Sequence, residues 1–141
     1  MLVRLMYASR ATAPVRQDFL QAILKKSTGN NPGAGVTGVL CFSGEIFLQV
    51  LEGGRSQVST LYNRIAQDPR HRDVTLLSYE EIEERSFAGW AMGQVNMNRL
   101  NPALLLKYSE SAVLDPFAVS GKASAALFNE LVATASVVCL G

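Results

Sequence analysis

Residues 36–53, VTGVLCFSGEIFLQVLEG, constrain what this chain can fold into more than any other stretch. They read as two β-strands joined at Ser43-Gly44, a tight hairpin signal. Side chains alternate between the two faces of a strand, yet Val39, Cys41, Ile46, Leu48 and Val50 add to apolar groups on both sides. Such a hairpin belongs in the middle of a sheet that is covered on both faces, so the rest of the chain must supply two covering layers. One residue in the run does not fit. Gln49 lies among Phe47, Leu48, Val50 and Leu51, and a buried primary amide without hydrogen-bond partners costs roughly 1–3 kcal/mol.

The covering layers can be found on either side of the hairpin. LVRLMYA, 2–8, is a strand with Val3, Leu5 and Tyr7 on one face. RQDFLQAILKKS, 16–27, carries Phe19, Leu20, Ile23 and Leu24 at helical spacing, and the turn-rich GNNPGAG, 29–35, follows it. RSQVSTLYNRIAQ, 55–67, is a second helix, with Val58, Leu61, Tyr62 and Ile65 on one stripe and Pro69 beyond its end. DVTLLSYEEI, 73–82, is a fourth strand, EERSFAGW a polar link, and AMGQVNM, 91–97, a fifth strand interrupted by Gly93. The order β-α-β-β-α-β-β predicts an α+β, ferredoxin-like layout: a mixed five-stranded sheet with both helices on one face. The other face needs the C-terminal segment. Asn101-Pro102 opens a short helix, PALLLKYSE, and after Asp115-Pro116 the residues Leu127, Leu131, Ala135 and Val138 share a helical face. The expected division is a core domain over 1–98 and a helical cap over 99–141.

Composition narrows the function classes. A chain of 141 residues, 48% apolar and 18% charged, is globular. A net charge of +1 argues against a dedicated nucleic-acid surface. Cys41 and Cys139 show no metal-ligand spacing and make no disulfide framework, and Cys41 reads as a reduced core thiol. The N-terminus MLVRLMYAS is not a signal peptide, and no run approaches the ~18 apolar residues of a membrane span. The expectation is a cytoplasmic protein with no membrane and no nucleic-acid partner.

Four polar features resist a bland core. Gln49 could bond a neighbouring carbonyl or face solvent at an edge. Tyr7 could be a buried tyrosine with its hydroxyl on a loop carbonyl. Asn30 and Asn31 could bond their own turn. Arg64, Asp68, Arg70, His71 and Arg72, in RIAQDPRHR, could be a solvated helix end or a phosphate site. Taken together they outline a slot between two helices on a sheet. A planar heterocycle would pack there on Ile23, Leu24 and Ile65, with a phosphorylated tail at the arginines.

These blocks resemble the BLUF family of flavin-binding blue-light sensors. The resemblance rests on LMYAS at 5–9, NNPGAGVTGVLCFS at 30–43, FLQVLEG at 47–53, RIAQDPRH at 64–71 and SFAGWAM at 86–92. It implies that Tyr7 is the essential tyrosine and Gln49 the switching glutamine. It also implies that Asn31 bonds the flavin ring edge with Ser27 near it, and that Arg64, Asp68, Arg70 and His71 lie near the ribityl and phosphate tail. Trp90 and Met92 match the pair proposed to relay the change outward. The implied cofactor is FAD, with FMN or riboflavin possible. The implied function is non-enzymatic: light drives electron and proton transfer from the tyrosine to the flavin and back, leaving rearranged hydrogen bonds at Gln49. The amide suits this role because it carries both donors and an acceptor. Residues 99–141 are too few for an effector enzyme. The expected output is therefore a partner protein, or a homodimer or higher oligomer. A non-photoactive small-molecule-binding module on the same fold is the alternative. An acylphosphatase-type hydrolase is disfavoured, because this sequence shows no matching arginine-bearing phosphate loop after the first strand.

Overall fold

The computed structural model describes residues 1–13, 33, 35–88, 93–96, 102–134 and 138–139. Within them the chain runs β1 (Leu2–Ala11), β2 (Thr37–Ser43), β3 (Ile46–Gly54), α1 (Arg55–Gln67), β4 (His71–Ile82), β5 (Gly93–Asn96), α2 (Pro102–Tyr108), α3 (Gly121–Thr134) and β6 (Val138–Cys139). The sheet order is β4-β1-β3-β2-β5-β6. Its body is four antiparallel strands, β4-β1-β3-β2, and not the five-stranded sheet expected. Short β5 joins β2 in parallel, and two-residue β6 pairs with β5. Val138, expected on a helix, is in β6. It lies in the run Val137-Val138-Cys139, where β-branched residues favour an extended backbone.

The hairpin expectation holds with a shift of one residue. Ser43 pairs with Ile46, so the two-residue turn is Gly44-Glu45. Gly44 takes the first turn position at φ +57°, where a side chain would be strained. The helix over 55–67 forms as expected, and Asp68 follows it with its N–H on the Ile65 carbonyl. The predicted helix over 16–27 lies outside the described residues.

Both sheet faces are apolar, and each has its own core. On the α1 side Val3, Leu5, Tyr7, Ala11, Leu40, Phe47 and Leu51 pack with Val58, Leu61, Tyr62 and Ile65. On the opposite side Met6, Ala8, Val39, Cys41, Leu48 and Val50 pack with Leu105, Leu114, Leu127, Phe128 and Leu131. The C-terminal helices therefore cover the second face. Phe87, expected in a polar link, is buried in this second core, and its ring meets Phe128 edge-on at 5.6 Å. The helices α2 and α3 are tied to each other at Glu130, which receives the Tyr108 hydroxyl and the Lys107 ammonium at 3.1 Å.

Candidate functional site

The antiparallel pairing of β1 and β3 sets Tyr7 directly opposite Gln49. Residues opposite each other point to the same face, and the period-2 pattern fixes it as the α1 face, shared with Val3, Leu5, Phe47 and Leu51. Both side chains are buried, and the Tyr7 hydroxyl donates to Gln49 Oε1. This answers the question raised by an amide in an apolar strand, because Gln49 has a phenol as a partner. Burial pushes the Tyr7 phenol well above its ordinary range, so it is held as a protonated donor. Tyr62, from α1, tilts against the Tyr7 ring with centroids 5.7 Å apart.

The end of α1 and the start of β4 close one side of this region. Asp68 holds Arg70 in a fork, with Arg70 Nε donating to Oδ1 at 3.0 Å and Nη2 to Oδ2 at 2.6 Å. That guanidinium lowers the Asp68 carboxyl to about 2. Arg70 is thus already neutralised by its neighbour, and Arg64, exposed on the last turn of α1, is placed differently. His71 is not part of the helix end, as the basic cluster had suggested. It opens β4, opposite Ala11 of β1, and its Nδ1 lies 2.8 Å from Ser9 Oγ. Ile65 packs at the margin of the same core. The structure therefore brings together Tyr7, Gln49, Ile65, Asp68, Arg70 and His71, while Ile23, Leu24, Ser27, Asn31, Trp90 and Met92 lie outside the described residues.

Sequence reasoning missed three residues that support the site. Ser9 is one. Glu52, fully buried three positions after Gln49 on the cap side of β3, is another. It accepts Arg4 Nε at 2.8 Å and the backbone N–H groups of Ser86 at 3.0 Å and Phe87 at 2.7 Å. The third, Arg85, donates to the Gly35 carbonyl at 2.7 Å and to Thr37 Oγ1 at 3.1 Å. Together Glu52 and Arg85 fix the segment that leads to Trp90. The available signal was an acid in an apolar strand, with Arg4 as the charge in the neighbouring strand. Among the described residues no group of three His, Cys, Asp or Glu could hold a metal, and no helix is long and apolar enough to cross a membrane.

Comparison with known proteins identifies the family and the fold. The family described as "BLUF: Sensors of blue-light using FAD" matches residues 2–93. The chain is 38% identical over 92 residues to photoactivated adenylate cyclase subunit beta of Euglena longa, covering 64% of this chain and 11% of that protein. It is 36% identical over 89 residues to the blue light- and temperature-regulated antirepressor BluF of Escherichia coli, covering 62% of this chain and 22% of that protein. The chain thus spans about a tenth of the length of the cyclase relatives it matches. Among solved structures, BlsA in its photo-activated state superposes with a TM-score of 0.86 at 31% identity, covering 99% of this chain and 100% of that one. The dark-state BLUF protein BlrB gives 0.79 at 30% identity, covering 96% and 97%. The buried phenol–amide pair on the helix face of the sheet, together with the match over residues 2–93, makes this chain a member of the BLUF family of flavin-binding blue-light sensors.

Proposed function

We propose that this chain is a blue-light photoreceptor that binds oxidised FAD and passes its state to a partner protein or to a second copy of itself. The observation that carries the reading is the buried Tyr7–Gln49 hydrogen bond in a chain of this family. The donor set fits a flavin: an amide and a phenol for a polar ring edge, an imidazole beside them, and Arg64 for an anionic tail. In this reading Ile23, Leu24, Ser27 and Asn31 complete the pocket from the 16–31 segment. The 16–27 helix then lies beside α1 and completes the ferredoxin-like layout.

A bound flavin supplies the blue absorption and the electron acceptor. Tyr7 gives up an electron and a proton in the light and recovers both, so nothing is consumed and the chain is a sensor and not an enzyme. Gln49 keeps its backbone place in β3 and exchanges partners by turning its amide, which replaces an acceptor by a donor at one point in the pocket. The signal then passes by way of Trp90 and Met92, which precede β5 in sequence, to the C-terminal helices α2 and α3. Relatives named as a cyclase subunit and an antirepressor favour an effector partner as the output.

The test is the visible spectrum of the purified protein in the dark and just after blue light, with the released flavin identified by chromatography. A flavin spectrum that shifts slightly to the red and recovers in darkness is expected, and Tyr7→Phe should bind flavin and show no shift. A flavin spectrum without a shift in the unsubstituted protein would remove the Tyr7–Gln49 switch. A colourless protein that refuses added flavin would favour a non-photoactive binding module.

A further inference from the structure

Ser9 and His71 form a polar pair inside the helix-side core that the switch does not use. Ser9 is fully buried, two residues after Tyr7 on the same face of β1, and its Oγ is 2.8 Å from His71 Nδ1. The imidazole is also held by rings, with Phe47 at 5.2 Å and Tyr7 at 6.5 Å between centroids. A hydroxyl has one hydrogen to donate, and so does a neutral imidazole. Two arrangements satisfy the 2.8 Å contact. If Nδ1–H donates to Ser9, the Ser9 hydrogen has no acceptor among the described residues, in a place closed to water. If Ser9 donates to Nδ1, the imidazole hydrogen moves to Nε2, at the other side of a ring that is only part-buried. Buried donors are rarely left unmade, so the second arrangement is favoured. Burial also holds the His71 imidazole below its ordinary range, which keeps the ring neutral and Nδ1 able to accept.

We propose that Ser9 fixes His71 as the Nε2–H tautomer, so that His71 presents a hydrogen-bond donor and no acceptor to an oxygen of the bound flavin. Ser9 is then a positioning residue for the cofactor. The proposal rests on the flavin-binding reading, and it selects a ligand with an acceptor oxygen at that point, on the ring, the ribityl chain or the phosphate.

His71 is the chain's only histidine, so the nitrogen spectrum of protein labelled with ¹⁵N-histidine reads this ring alone. The expected pattern is Nε2–H, with and without flavin, and a Nδ1–H pattern in the unsubstituted protein would overturn the proposal. Ser9→Ala should release the single tautomer to a mixture, and Ser9→Thr, which keeps the hydroxyl, should restore it. Should Ser9→Ala fail to fold, the unsubstituted spectrum and Ser9→Thr still decide. Ser9→Ala should also weaken flavin binding about tenfold, the effect of losing roughly one oriented hydrogen bond. A loss seen with riboflavin, FMN and FAD alike places the acceptor on the ring or ribityl chain, and a loss confined to FMN and FAD places it on the phosphate. Unchanged affinity for all three would sink the ligand half of the proposal. A protein that takes up no flavin would refute the photoreceptor reading, and the tautomer half is read separately in the flavin-free protein.

Discussion

Glu52 is a charge with no route to water, and three donors surround its carboxylate. Removing it leaves the Ser86 and Phe87 N–H groups without their acceptor, at roughly 1–3 kcal/mol each, while part-exposed Arg4 keeps Glu80. Glu52→Ala should therefore lower unfolding stability by about those two costs together in urea titrations. Glu52→Gln keeps an acceptor but gives the Phe87 or Ser86 amide a competing donor, and should fall between the two. Acid should act through His71 first. The folded state holds its proton less well than the unfolded chain, because burial disfavours the imidazolium. Stability is then complete above the ordinary value of 6.5 and falls as the pH drops below it, because the unfolded state takes up the extra proton. Asp68 acts later. Its stabilisation is complete above its ordinary 3.8 and is lost as the pH falls towards about 2. Solvent screening of this part-exposed pair limits its share to under about 1 kcal/mol. Urea midpoints at pH 8, 5 and 2.5 should thus decline stepwise, and His71→Asn should flatten the first step while leaving the second. Tyr7 and Gln49 could be assigned to one slot as polar residues in apolar strands, and the family resemblance supplied their partnership. Ser9 and Glu52 could not, since their partners lie 62 and 34–48 residues away and only register brings them into contact.

The contact between α3 and β4 depends on Gly121. A Cβ built there would stand 2.2 Å from the Leu77 carbonyl oxygen, a backbone atom that cannot swing aside. Leu77 is also the extra residue where the β1–β4 register slips, between the pairs Met6–Ser78 and Tyr7–Leu76. The bulge turns Leu77 into the cap-side core and sets the first turn of α3 against it. Gly121→Ala should lower the melting temperature by several degrees, consistent with about 1–3 kcal/mol of overpacking, and Lys122→Ala, one residue along and exposed, should not. Elements with a clean period were legible in advance. The helix over 55–67 formed where its spacing placed it, and the hairpin formed where its turn residues placed it, shifted by one residue. The errors occur where local pattern competes with pairing. His71 joined β4 because β1 runs on to Ala11 and offers it a partner. Phe87 was hidden in a polar link because its burial depends on Glu52 capturing its amide. A bulge such as that at Leu77 leaves no composition signal in a run of ordinary strand residues.

At the scale of the whole molecule, one sheet separates two cores, and the residues that move in the proposed switch belong to the first. Gln49 shares β3 with Leu48 and Val50, which face the cap, so a rearrangement on one face has only a strand's thickness to cross before it meets α3. Cys41 is well placed to report on that crossing. It is fully buried on the cap side of β2, and burial pushes its thiol well above the ordinary range. A thiol in that state reacts with a water-soluble disulfide reagent only when the cap opens, because both access and the thiolate are withheld while it is closed. With Cys139→Ser removing the second thiol, labelling of Cys41 in the dark should be slow. Cutting the chain after residue 101 removes α2 and α3 and uncovers Met6, Val39, Cys41, Leu48 and Val50, so labelling should then become fast. Such a patch also promotes self-association, which sedimentation would detect in the shortened chain. If the signal reaches the cap, blue light should raise the labelling rate of the full chain towards that of the shortened one, and the rate should return as the flavin spectrum recovers. A rate unchanged by light, measured beside a red shift that does occur, would mean that the switch works without opening the cap. The output would then lie at the edge of the sheet and not on its covered face.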